Sequence, residues 1–87
     1  MPPYRVKLTP AYEQSRASWK GEVEVAAIRS LNEKVLDILE HKFPFQRMRP
    51  VSEGHVLSID VDQYTFLLFV TYRDETFYLH EAVYNVT

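Results

Sequence analysis

The stretch Tyr78-Leu79-His80-Glu81-Ala82-Val83-Tyr84 spaces an imidazole and two phenols at even intervals near the end of the chain. Residues two apart share a face of a strand. Tyr78, His80, Ala82 and Tyr84 are therefore expected on one side, with Phe77, Leu79, Glu81 and Val83 on the other. Histidine titrates near neutral pH and so suits proton transfer. His80 and Tyr84 are the candidate catalytic pair, although four residues of strand hold them about 13 Å apart, too far to touch. Arg47, Arg49 and Arg73 offer planar guanidinium forks that match phosphate or carboxylate, and His55 is a further acid/base candidate for the substrate. Each residue also has a plainer reading: a sheet histidine bonded to a neighbour, tyrosines packed on a strand, and solvated loop arginines.

Other chemistries find no purchase. The chain has no cysteine, so neither disulfides nor thiolate metal sites can form. His41, His55 and His80 lack metal-ligand spacing, and no metal or cofactor is expected. Gly21 and Gly54 stand alone, without the run that cradles phosphate. Ser58, three residues from His55, falls on the opposite strand face, and no hydrolase triad has support.

At 87 residues the chain has room for one core and one domain. Its hydrophobic content of 46% and aromatic content of 14% exclude a disordered chain. No segment reaches the roughly 18 apolar residues that span a bilayer, and the start MPPYRVKL lacks the apolar core of a signal peptide, so a cytoplasmic protein off the membrane is expected. The net charge of -2 hides an asymmetry. Residues 1–50 hold nine Lys/Arg against six Asp/Glu, whereas residues 51–87 hold only Arg73 against six acids. Any phosphate contact is expected from the basic half.

Tyr4, Val6 and Leu8 alternate with Arg5, Lys7 and Thr9, as in a half-buried strand. Thr9-Pro10 predicts a helix start, because the threonine side chain accepts an orphan N–H and proline has none to lose. That helix is expected over about 10–19, ending near Lys20-Gly21. Ile28, Leu31, Val35 and Ile38, widened by Val25, Ala27 and Leu39, predict a long amphipathic helix. Glu22 and Glu24 suit its start, His41 and Lys42 its end, and Pro44 its termination. FPFQRMRPVSEG reads as a connector. Strands over 55–61, 64–72 and 76–86, joined by tight turns, predict an antiparallel meander. Its central strand is so apolar that both faces are expected to be covered at least in part. The expected fold is α+β, in the order β-α-α-β-β-β. Two N-terminal helices pack on one face of an antiparallel four-stranded sheet, with the first strand beside the meander.

This order, the opening YRVKLTP that runs straight into a helix, the helix ending in ILEHKFPFQRMRP, and the hairpin DQYTFLLFVTYRDETFYLHEAV together resemble the RelE/ParE family of toxin-antitoxin toxins over about residues 4–86. The resemblance implies the toxin component of a bacterial toxin-antitoxin module, one branch of which cleaves messenger RNA on the ribosome while another poisons DNA gyrase. It also implies a cognate antitoxin that wraps the toxin. Tyr12, Trp19 and an exposed sheet edge are the expected contact, since large surface aromatics are frequent interface anchors. Ribonuclease members usually carry basic residues on the second and third strands. Here those positions hold Val56, Ser58 and Asp60, and Thr65 after Tyr64. The alternative is a RelE/ParE-fold protein that acts by protein contact without catalysis.

Overall fold

The computed structural model describes residues 4–40 and 44–86. β1 (Arg5–Leu8) leads into α1 (Pro10–Ser18) and α2 (Val25–Leu39). After one 3-10 turn at Pro44–Arg47 come β2 (Met48–Val51), β3 (Gly54–Val61), β4 (Tyr64–Arg73) and β5 (Thr76–Val86).

The helix starts follow local chemistry. Thr9 is extended, and its Oγ1 accepts from Tyr12 N at 3.4 Å while donating to Leu79 O at 2.8 Å. The cap thus also ties α1 to β5. Ser15 Oγ makes a second tie, accepting from Ala82 N at 3.1 Å. Gly21, at φ 84°, supplies the left-handed residue after α1 that glycine adopts at least cost. α2 begins after an extended Glu24 whose side chain makes no capping bond. Of the expected stripe it buries Ala27, Leu31, Val35, Ile38 and Leu39, while Ile28 is half-buried against the core and Val25 is 72% exposed in the first turn. His41 and Lys42 lie outside the described residues.

The fold is α+β, but the sheet differs from expectation: it has five strands and is mixed, in the order β1-β5-β4-β3-β2. β1 does lie beside the meander, parallel to β5 from Arg5↔Thr76 to Leu8↔Leu79. The expected connector contains the fifth strand. Met48–Val51 pairs antiparallel with β3, with Met48 buried opposite Leu57. Pro50 argues against a strand because it has no N–H to donate, yet β2 is an edge strand, where that loss is tolerated. Gly54 is required at this hairpin, since a Cβ there would stand 2.7 Å from Val70 O.

α1 and α2 cover one face of the sheet. Leu57, Ile59 and Val61 of β3, Tyr64, Phe66, Leu68 and Val70 of β4, and Phe77, Leu79 and Ala82 of β5 form one core with Leu31, Val35 and Leu39 of α2. Tyr12 and Trp19 belong to this core as well. They are 1% and 3% exposed, which corrects the expectation that they form a surface contact. Trp19 sits between Phe66 and Tyr84, with ring centroids at 5.3 and 5.8 Å. Tyr12 donates its hydroxyl to Asn32 Oδ1 at 3.3 Å. A domain this small needs its largest rings inside to build enough apolar burial.

The other face carries no helix among the described residues. Thr65, Leu67, Phe69 and Thr71 of β4 are half-buried there by their strand neighbours. The continuous apolar run of β4 is therefore one face of core and one face of open sheet.

Candidate functional site

A bulge decides which β5 side chains share a face. β4 and β5 pair regularly from Arg73↔Thr76 to Val70↔Leu79, then resume at Leu68↔Ala82. His80 and Glu81 together face the single residue Phe69. An extra residue in one strand shifts the alternation beyond it by one. His80 stays on the open face with Tyr78, while Ala82 and Tyr84 turn to the helix side. The expected single face of Tyr78, His80, Ala82 and Tyr84 is thus corrected, and the candidate pair is split across the sheet.

Tyr84 is committed elsewhere. Its hydroxyl donates to Glu22 Oε1 at 3.1 Å, and its ring packs on Trp19, Tyr64 and Phe66. Partial burial, then the bond to Glu22 and its negative charge, push the phenol pKa upward. A phenol held protonated in this way is a poor base near neutrality.

His80 sits in a shallow groove of the open face lined by Thr71, Tyr72, Arg73 and Tyr78. Its Nε2 is 2.7 Å from Thr71 Oγ1, a diagonal cross-strand neighbour, and its ring lies 5.6 Å from that of Phe69. The imidazole is thereby oriented by a hydroxyl and an aromatic ring. Thr71 is a partner that the hairpin register alone would have disclosed, since Arg73↔Thr76 puts Thr71 opposite Tyr78.

The parallel docking of β1 changes the electrostatics of this region. Arg5, Thr76 and Arg73 form one row across the sheet, and Lys7, Tyr78 and Thr71 the next. Arg5 and Lys7 are exposed. Arg73 lies 5.9 Å from the Tyr78 ring centroid and 3.9 Å, through Nε, from Asp74 Oδ2. Three cations from two distant parts of the chain therefore stand on the face that holds His80, Lys7 one row away and Arg5 and Arg73 two rows away, about 13 Å along the strand. Arg5 and Lys7 were not among the candidates, because only the pairing of β1 with β5 brings them there. Acids adjoin the patch too: Asp74 and Glu75 form the turn between Arg73 and Thr76, Glu75 O accepts from Arg5 N at 2.9 Å, and the exposed Glu81 follows His80 in the bulge, while Asp60 accepts from Thr65 Oγ1 at 2.8 Å at the far end of β3.

The remaining candidates disperse. Arg49 is on the edge strand β2, opposite Val56. Arg47 lines a separate depression with Lys34, Asp37 and Asp60. His55 pairs with the core residue Val70, and its ring lies 5.4 Å from that of Phe45. Phe45 in turn packs with Tyr4, Tyr72 and Phe77. Arg47, Arg49, Arg73 and His55 do not converge on one site.

Among the described residues, no cluster of three His, Asp or Glu could hold a metal, and no helix is long and apolar enough to cross a membrane. No protein-family model, curated protein or solved structure matches this chain.

Proposed function

We propose that this chain is a RelE/ParE-like toxin that engages single-stranded messenger RNA through the open face of its sheet and is restrained by a small antitoxin. The observation that carries the reading is the placement of Arg5 and Lys7, through β1, in rows with Arg73 and Tyr78 on the face that holds His80. Exposed cations that track a backbone, next to aromatic faces that accept bases, are what single strands bind. Arg5, Lys7 and Arg73 neutralise phosphates, and Tyr78 offers its ring to a base. In cleavage, His80 takes the proton of a 2'-hydroxyl as its oxygen attacks phosphorus. The bond to the 5'-oxygen breaks, and Tyr78, on the same face, returns a proton to that leaving group. The cations stabilise the charge that develops on the phosphorane.

The test is fluorescence anisotropy of a labelled single-stranded RNA across a salt series. Neutralising three phosphates of a single strand gives a slope of log K on log salt near about -2, and Arg73→Gln makes it shallower. No binding, or a flat salt dependence, overturns the reading. Primer extension after brief induction in a bacterial host then separates cutting from contact: breaks within coding regions should vanish with His80→Ala.

A second reading, contact with DNA gyrase or another protein without catalysis, is favoured by the other half of the open face. Val56, Leu67 and the exposed Val83 form an apolar strip there, bordered by Ser58, Asp60, Thr65 and Asn85. Growth arrest with intact messages would select it.

A further inference from the structure

A groove of about 320 Å³ lies where β1 meets the two helices, on the face of the sheet away from His80. Val6 and Leu8 line it because they pair with the core residues Phe77 and Leu79 of β5, and paired residues share a face. α1 contributes Tyr12 and Arg16 one turn apart, and α2 contributes Asn32 and Leu36 at the same spacing. The lining is largely apolar and open to solvent, with Leu8 and Leu36 45% and 43% exposed. Sites for small molecules have this character, apolar walls with a few placed polar groups, and begin at about this volume.

The polar groups of the groove are arranged for an anion. Tyr12 donates its hydroxyl to Asn32 Oδ1 at 3.3 Å, which occupies the amide oxygen and leaves the nitrogen as the donor end of that side chain. The guanidinium carbon of the half-buried Arg16 stands 5.0 Å from the Tyr12 ring centroid. Its Nε is shielded from water without a hydrogen-bond partner, and no carboxylate lies within ion-pair distance of it, among the described residues. No acid is among the described residues of the lining. A half-buried cation without a counter-charge, set in apolar walls, complements a ligand with one anionic head and an apolar tail. A carboxylate head matches the planar guanidinium fork and also accepts from an amide.

We propose that this groove binds an unbranched medium-chain monocarboxylate, of which octanoate is the type. Its carboxylate pairs with the terminal nitrogens of Arg16 and accepts from the amide nitrogen of Asn32, while its chain lies along Val6, Leu8 and Leu36. Burial of the tail supplies the affinity, and the unneutralised cation selects an acid over an amine of the same length. The site is on the helix side of the sheet, so it does not depend on RNA binding by the open face.

The experiment is a titration of the isotope-labelled protein with sodium octanoate, kept below micelle formation and followed by two-dimensional NMR of amides and methyls. The expected result is saturable movement of the Val6, Leu8 and Leu36 signals, with Thr71 and Tyr78 on the open face still. Binding should weaken by about fourfold for each methylene removed, through hexanoate to butanoate, as for any buried CH₂. Octylammonium should not bind, and Arg16→Met should weaken octanoate by about tenfold or more, because a charge-assisted bond is lost. Leu36→Glu, at an exposed helical position that glutamate suits, should abolish binding while the dispersed spectrum shows an intact fold, and it serves if Arg16→Met does not fold. Groove signals unmoved at millimolar octanoate overturn the proposal. So does equal movement by octylammonium, which would make the groove a merely apolar one, or octanoate binding that is unchanged in both variants.

Discussion

Replacing Trp19 by alanine separates a core anchor from a surface anchor. Trp19 is 3% exposed and contacts Phe66 and Tyr84 through its ring. A buried aromatic removes about 150–250 Å² from water, worth about 4–6 kcal/mol at about 25 cal/mol per Å². Alanine recovers a small part, and the cavity that remains adds back a comparable cost, so the expected loss is about 3–5 kcal/mol. A domain of this length has on the order of 4–13 kcal/mol in all. The assay is urea unfolding followed by far-ultraviolet circular dichroism, because the protein has a single tryptophan and the variant has no indole signal. With a slope of about 1 kcal/mol per molar urea for a domain this small, the midpoint should fall by about 3 M or more. Trp19→Phe should retain roughly half of that stability, since a smaller ring still reaches the pocket. A drop below about 1 M for Trp19→Ala would refute the burial argument and return Trp19 to the surface.

Two further outcomes follow from local geometry. The β4–β5 turn places Asp74 and Glu75 at φ 53° and 58°, and glutamate has no intrinsic preference for the left-handed region. Glu75→Gly relieves a strain of about 1 kcal/mol, partly offset by glycine's greater chain entropy. The melting temperature should rise by a few degrees, and an unchanged or lower value counts against strain at the turn. Burial raises the Tyr12 phenol pKa, opposed in part by Arg16. A raised folded-state pKa means that the native state keeps its proton after the unfolded chain has lost it. The stabilisation is complete below about pH 10 and is lost as pH rises from there through the folded-state value. Urea midpoints should therefore decline above pH 10 more steeply for the wild type than for Tyr12→Phe, and parallel declines would reject the assignment.

Much of the fold follows from chemistry that acts within a few residues. Thr9-Pro10 starts α1 by satisfying an orphan donor, the 3–4 spacing of Ile28, Leu31, Val35 and Ile38 marks the core-facing side of α2, and short turns with Asp62 and Asp74 leave β3, β4 and β5 no geometry but antiparallel. These signals are legible because their partners are near in the chain. What failed to read depends on partners that are distant. Pro50 hid β2, whose strand character comes from lying against β3 at an edge.

The candidate site was legible only in part. His80 and Tyr78 do share a face, as alternation requires, but a bulge opposite Phe69 puts Tyr84 on the other side. Alternation is a local rule, and one inserted residue breaks it without any mark in composition. Tyr12 and Trp19 look like surface anchors on a short helix of low apolar content, yet they fill the space between α1 and the sheet, which exists only once β5 lies beneath that helix. Charge is the clearest case. The sequence by itself determined that the second half is acidic and the first half basic. Only the tertiary structure decided that Arg5 and Lys7 lie beside Tyr78 and Arg73, because a parallel strand pair joins residues some 70 positions apart through backbone bonds that any side chains would permit.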